Sequence, residues 1–503
     1  MSTTLADASR DAAQHTPDRV VIVDAGHRIT SAQLHEHAVA LAGNLLSRMP
    51  VGSVVSFMLP NWHEAAVVYL GATLAGMVVN PILPSLRDHE LTFILDDVDS
   101  RMIFIPESFR GYDYAAMLQR VTDRLATAPE VVVVRGPGHT PYSTMLSPVA
   151  TGLPRLDADA VRMVLYTSGT TGRPKAVLHS HNSLHALIQQ IGRYWLVDPG
   201  DTFLVPSPIA HIGGSIYAFE CPLLLGTTAV LMERWDADDA VALMAAEHCT
   251  HMAGATPFLT QLLTAARQAS TRLPDLKVFI CGGASVPPSL IRSAADYFDN
   301  TVVTRVYGST EVPVTTVGVT SADDADHAAD TDGRTGIADI RLVDNEIRAR
   351  GPQMLIGYRD PADNADAFDD DGFFRTGDLG SWVDHDYLVV TGRAKDLIIR
   401  NGENISPKEI EDLLVTMPSI AEIAIVGIPD PRTGERACAV VVPGPGSPPD
   451  IAELRAELSA HGVAMFKVPE QIAIWDALPR NDAGKVLKHL IRQSLMEEQP
   501  SCR

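Results

Sequence analysis

Tyr166-Thr-Ser-Gly-Thr-Thr-Gly-Arg-Pro-Lys-Ala176 decides how this chain is read. The apolar run Val161 to Tyr166 leads into it and reads as a buried strand, and Ala176 to His179 predicts a second strand. Between the two, glycines let the backbone come close to a ligand, while hydroxyls, amide N–H groups and the Lys175 charge supply donors. That combination suits a phosphate. A Walker loop needs glycine immediately before its lysine and Ser or Thr after it. Here Pro174 precedes Lys175 and Ala176 follows, which disfavours a P-loop kinase or GTPase. A plain polar hairpin would not need three hydroxyl–glycine steps.

Outward from this loop, strand and helix signals alternate, which predicts α/β layers. Val278 to Cys281 and Val302 to Tyr307 read as buried strands, each followed at once by Gly, Ser or Thr, where ligands of α/β sheets gather. Ser31 is placed to cap a helix whose Leu34, Ala38, Leu41 and Leu45 follow helical spacing. The uncharged run Ala65 to Val79 is short and rich in small residues, so it reads as a buried core helix rather than a membrane span. The chain has 503 residues, too many for one ordinary core. The fold expected is a large N-terminal domain of stacked α/β sheet layers, residues 1–391, a hinge at 392–395 and a small mobile α/β domain, 396–503. In the last unit Tyr387 to Thr391 is read as a strand, Gly392 to Asp396 as a polar turn and Ser406-Pro-Lys-Glu409 as a capping box.

Lys plus Arg number 40 against 62 Asp plus Glu, a net charge of −22 that argues against nucleic acid and anionic membrane surfaces as partners. The five cysteines form no C-x-x-C pair and the N-terminus has no signal-peptide pattern, so a cytoplasmic protein with reduced thiols is expected. The acidic segments Asp323 to Asp332 and Asp369 to Asp371 read as solvated loops. The pairs His179/His181 and His248/His251 have metal-like spacing but no evident third ligand, and read as structural or surface residues.

The phosphate-type loop resembles that of the adenylate-forming superfamily: acyl-CoA synthetases, peptide-synthetase adenylation domains and luciferases. Further family elements recur in order: Tyr307-Gly-Ser-Thr-Glu311, Gly351-Pro with Gly357-Tyr358, Thr376-Gly-Asp378, Gly392-Arg393-Ala-Lys395-Asp396, Gly402-Glu403-Asn404, and Pro479-Arg480-Asn481 with Gly484-Lys485. The resemblance implies that Thr167, Ser168, Gly169, Thr170, Thr171, Gly172 and Lys175 hold phosphates. It implies that Gly282, Gly283 and Ala284 form an adenine shelf opposite Tyr307, with Gly308 and Ser309 beside it. Thr310 would contact the α-phosphate, Glu311 would hold Mg²⁺, and Asp378 and Arg393 would bind ribose. Lys485 would bridge carboxylate and α-phosphate, a point-charge role suited to lysine. Lys395 would be the hinge, and Gly402, Glu403 and Asn404 would face the CoA channel. His211, Gly214, Tyr217, Thr256 and Phe258 would line the acyl pocket, with His211 disfavouring an α-amino acid substrate.

The blander alternatives are a core role for His211, a turn cap for Asp378 and a solvated Lys485. The activity implied is ATP-dependent carboxylate–CoA ligation of a fatty, alicyclic or aryl acid, with ATP, Mg²⁺ and CoA. The alternatives are transfer to a carrier protein, release of acyl-AMP, or a non-catalytic homologue. Monomer and homodimer are both compatible. Ala176 and Asn401 depart from the family's usual Gly and Gly or Ser.

Overall fold

The computed structural model describes residues 4–137, 140–149, 151–167, 173–283, 286–480 and 485–497, and it is an α/β protein with four main sheets. One sheet runs Gly357–Tyr358, Lys175–Ser180, Val161–Thr167, Val78–Pro81, Val54–Phe57, Ser100–Pro106, Glu130–Val134, Thr140–Pro141. A second runs Val302–Val306, Val278–Gly282, His251–Gly254, Thr202–Val205, Thr228–Leu231, Val20–Asp24, His27–Thr30. Both contribute to the largest core. There Phe57 and Phe104 of the first meet Ile22 and Phe203 of the second, together with the helices Ser31–Leu46, His63–Leu74 and His181–Tyr194. Every residue from Glu64 to Leu74 is buried, so this helix has no water-facing side to keep polar. The Ala65–Val79 run therefore splits into a core helix and the strand Val78–Pro81. Among the described residues no helix is long and apolar enough to cross a membrane.

A third, antiparallel sheet joins Asp339–Val343, Glu346–Arg350, Phe374–Val383 and Tyr387–Arg393. The strands after it, Ile398–Arg400, Glu403–Ile405, Ile420–Asp430, Gly434–Pro443 and Gln471–Ile474, form the fourth, with its own cores around Ile410, Leu414, Val441 and Leu454 and around Val426, Val440 and Ile491.

Four local expectations are corrected. Thr30, not Ser31, caps its helix, accepting from the Gln33 amide, and Leu34, Ala38, Leu41 and Leu45 lie on the buried face as the spacing predicts. Ser406 sits at the N-cap position but makes no capping bond; its hydroxyl donates to the Thr391 carbonyl at 2.6 Å, a tertiary contact that overrides the local pattern. The strand after Tyr387 runs on through Gly392 and Arg393, because both pair with Leu379 and Asp378 of the neighbouring strand. The acidic segments are not merely solvated. Asp332 is 8% exposed and pairs with Arg305 at 2.6 Å, and Asp369 is gripped by Arg341 and Arg348. That grip, against the cost of burial, holds the Asp369 carboxyl well below the usual carboxylate range.

Candidate functional site

The second sheet explains why the quoted motifs converge. Its strands Thr202–Val205, His251–Gly254, Val278–Gly282 and Val302–Val306 are parallel neighbours, so their carboxyl ends lie along one edge. The segments leaving that edge carry His211, Thr256 with Phe258, Gly283, and Tyr307 to Glu311 respectively. Ligands of open α/β sheets bind at such an edge. Gly282 must lack a side chain, since a Cβ would stand 2.8 Å from the Val306 carbonyl oxygen, and Gly283 has φ +83. Ala284 lies outside the described residues, as do Ser168, Gly169, Thr170, Thr171 and Gly172. The flanks of that loop are a hairpin in which Thr167 pairs with Lys175.

After Val306 the chain folds tightly. A Cβ on Gly308 would meet the Val314 amide nitrogen at 2.7 Å, and the Val312 amide donates to the Ser309 hydroxyl at 3.1 Å. Val314 takes φ +47, a conformation costly for a β-branched residue. The Glu311 carbonyl accepts from the Leu355 amide, and its Oε1 accepts from the Tyr358 hydroxyl at 2.9 Å. Tyr358 comes from the family-like Gly357-Tyr358 segment, but its role as the support of Glu311 was not read from sequence. Lys175 lies over the Tyr358 ring at 5.0 Å and pairs with Asp363 at 3.3 Å, so here its charge is shared with a carboxylate.

The Tyr307 hydroxyl donates to Asp378 Oδ2 at 2.7 Å, and Arg393 Nε forms an ion pair with Oδ1 at 2.8 Å. Asp378 is 5% exposed, so both of its oxygens are met inside the protein. Arg393 stands opposite Asp378 in the sheet, which is why the two arrive together. The fourth-sheet unit brings Lys485 to the same place. An Arg480–Val486 bridge closes its loop, and Lys485 lies among Arg393, Lys395, Asp378 and Asp396. Burial first, then the Arg393 and Lys395 charges, pull its ammonium down to about 8. Burial and Arg393 also lower Lys395. Gly402, with φ +84, Glu403 and Asn404 form an exposed turn and edge strand that the structure does not bring to this cluster by any hydrogen bond among the described residues.

None of the residues expected to line an acyl pocket, His211, Gly214, Tyr217, Thr256 and Phe258, is a Lys, Arg, Asp or Glu. Gly214 has its Cβ direction blocked by the Pro208 carbonyl oxygen at 2.1 Å, in the short helix Ile212–Ser215, where His211 sits at the N-cap position without a side-chain capping bond. It is followed by a π-turn, Ile216–Glu220, in which the Tyr217 ring stacks on Phe203 at 5.5 Å. Phe258 packs edge-on against Trp235 and leaves no room for a side chain on Gly254. Gly214→Ala should therefore displace the His211 segment and cost about 1–3 kcal/mol of stability. Urea unfolding followed by tryptophan fluorescence would read it, and an unshifted midpoint would show that the segment yields easily.

The π-turn ends on Glu220, which is fully buried with Arg162 of the strand entering the phosphate loop. Arg162 donates to Glu220 Oε1 at 2.6 Å, and the Tyr69 hydroxyl donates to the same oxygen at 2.5 Å. Elsewhere, Asp24, His63 and Glu64 gather metal-type donor atoms within 4.8 Å, but Arg135 pairs with both carboxylates, at 2.6 and 2.7 Å, and supplies the positive charge itself. Of the paired histidines, His251 Nε2 donates to the Trp195 carbonyl at 2.9 Å, and His248 is exposed beside Asp275.

The α/β scaffold is that of the adenylate-forming enzymes. The chain belongs to the AMP-binding enzyme family: its family model matches residues 9–358, and the family's C-terminal domain matches 409–485. It is 33% identical to a medium-chain fatty-acid–CoA ligase of Escherichia coli (strain K12), over 98% of this chain and 90% of that protein. It is 32% identical to a methyl-dioxo-octahydro-indenyl propanoyl:CoA ligase of Rhodococcus jostii (strain RHA1), over 98% of both. Its structure superposes on ATP-bound MatB from Rhodopseudomonas palustris with a TM-score of 0.88, at 30% identity, covering 99% of this chain and 100% of that one.

Proposed function

We propose that this protein is an AMP-forming acid–thiol ligase that converts a fatty, alicyclic or aryl carboxylic acid to its CoA thioester. In the first half-reaction a carboxylate oxygen bonds to the α-phosphorus of ATP and pyrophosphate departs. In the second the CoA sulfur bonds to the acyl carbon, AMP leaves with the electron pair of the broken C–O bond, and the thiol proton goes to solvent. The observation that carries this reading is the meeting of Tyr307, Asp378, Arg393 and Lys485, from three separate segments, at the sheet edge that bears Thr310 and Glu311.

Asp378 and Arg393 hold the ribose hydroxyls, Tyr307 with Gly282, Gly283, Ala284, Gly308 and Ser309 frames the adenine, and Thr310 with residues 167–175 holds phosphate oxygens. Lys485 neutralises charge where two anions meet. The Glu311 carboxylate is steadied by the Tyr358 hydroxyl, and no Lys or Arg pairs with it among the described residues, so it fits as a hard oxygen ligand for Mg²⁺. That ion would supply further positive charge at the phosphates.

The unit of residues 396–503 is the mobile domain and Lys395 its hinge. Turning there withdraws Lys485 and presents Gly402, Glu403 and Asn404 to the thiol of CoA. His211, Gly214, Tyr217, Thr256 and Phe258 receive the acyl chain. None of these five is a Lys, Arg, Asp or Glu, which supports an acid without a second charge. The protein acts in the cytoplasm, as a monomer or homodimer. A panel of aliphatic, alicyclic and aryl acids, assayed for pyrophosphate release with and without CoA, tests the reading. Thioester and AMP should form in equal amounts with at least one acid. Pyrophosphate without thioester would point instead to a carrier-protein acceptor or acyl-AMP release, and no turnover with any acid to a non-catalytic homologue.

A further inference from the structure

The sequence marks His179 as one half of a metal-like pair, yet the structure gives it a different task. It lies on the strand Lys175–Ser180 that returns from the phosphate-type loop, and it is completely buried. Its Nε2 is 2.8 Å from the Thr310 carbonyl oxygen, and its Nδ1 is 3.2 Å from the Ser183 hydroxyl. A carbonyl oxygen only accepts, so Nε2 carries the proton and Nδ1 is the acceptor. Burial lowers the ring to about 4, which keeps it in this neutral, single-donor form at ordinary pH.

The same pattern repeats along the helix that follows. Gln190, 1% exposed, donates to the Val314 carbonyl at 2.9 Å and accepts from the Ile337 amide at 2.8 Å. Trp195 donates to the Val317 carbonyl at 3.0 Å. Three buried side chains thus hold three carbonyls of the one segment that contains Thr310, Glu311 and the strained Val314. Strain of that kind persists only where the surroundings over-determine it.

We propose that His179 is a positioning residue for adenylation: its Nε2–H fixes the Thr310 carbonyl and thereby aims the Thr310 hydroxyl and the Glu311 carboxylate. The inference rests on the functional reading above, in which those two groups meet phosphate and Mg²⁺. It also ties the two sheets together, because His179 lies in a strand of the first sheet and Thr310 in the segment leaving the last strand of the second. Leucine at 179 fills similar space without the donor. Glutamine can return an N–H near the Nε2 position.

The test compares wild type, His179→Leu and His179→Gln in acid-dependent ATP–pyrophosphate exchange and in thioester formation from supplied acyl-adenylate, with hydrogen exchange of peptides covering 307–317 as a second readout. A misplacement approaching 1 Å costs up to about 10²-fold. His179→Leu should therefore lower exchange turnover about 30- to 100-fold, leave thioester formation from acyl-adenylate within about threefold, and speed hydrogen exchange across 307–317 while the rest of the chain is unchanged. His179→Gln should recover most of the adenylation rate. Equal loss in both half-reactions, no rescue by glutamine in a folded variant, or unaltered protection of 307–317 would overturn the proposal. If wild type itself exchanges no pyrophosphate with any acid, the functional reading fails, and loosening of 307–317 in His179→Leu still decides whether the clamp exists.

Discussion

Lys485→Ala should cut acid-dependent ATP–pyrophosphate exchange by about 10³-fold while leaving thioester formation from supplied acyl-adenylate within a fewfold of wild type. The size follows from charge. One unit charge about 4 Å from another contributes about 4 kcal/mol at an effective dielectric of 20, and each 1.4 kcal/mol is about tenfold in rate. Arg393 and Lys395 stand near, but Arg393 is already paired with Asp378, so they replace only part of the loss. The same neighbours give the step a pH dependence. With the ammonium drawn down to about 8 in the unliganded enzyme, the charged form is depleted as pH rises through that value. The kcat/KM for adenylation should therefore fall above pH about 8. Bound ATP, an anion, pushes the ammonium back up, so kcat should hold to higher pH. Lys485→Arg stays charged across this range and should lose the alkaline limb of the kcat/KM profile, whatever its overall rate. Equal damage to both half-reactions in Lys485→Ala would refute a role confined to adenylation.

What could be read from the sequence, and what could not, divides by range. The two strands flanking the quoted loop were legible, as were those read as Val278 to Cys281 and Val302 to Tyr307, which end one residue away at Gly282 and Val306, because apolar runs closed by Gly, Ser or Thr encode them locally. The contacts that complete the site join residues far apart: Tyr307 to Asp378, His179 to Thr310, and Glu311 to Tyr358. No local pattern encodes such pairs. A weak signal existed for His179. In the run Ala176 to His179, whose other residues are apolar, a buried imidazole must find a hydrogen-bond partner, and asking which one would have turned attention from metals to backbone. Ser406 shows the opposite failure. Its capping-box pattern was correct as a pattern, yet the hydroxyl serves Thr391 across the chain segment read as the hinge.

The buried Arg162–Glu220 pair should be the most stability-critical polar contact outside the site, for reasons that also concern the acyl pocket. Both side chains are 1% exposed, and Tyr69 supplies the third member at 0%. Burial alone would disfavour the guanidinium charge, but Glu220 and Tyr69 more than offset it, so the net shift is upward and the guanidinium stays charged. Arg162→Met removes the cation and strands the Glu220 carboxylate, whose remaining donor is the Tyr69 hydroxyl. Breaking such a pair costs about 3–5 kcal/mol. Combining it with Glu220→Leu should restore most of that loss, because replacing a whole buried pair by apolar side chains is often close to neutral. Urea midpoints of the two single variants and the double variant would measure this coupling, and additive losses would show that the two residues act independently. The restored double variant should still differ in function. Glu220 closes the π-turn that carries Tyr217, and Arg162 begins the strand that delivers Thr167. The ion pair thus links the proposed acyl wall to the strand that enters the proposed phosphate loop. Apolar replacements fill the space without fixing the direction of either segment, so KM for the acid should rise more than KM for ATP.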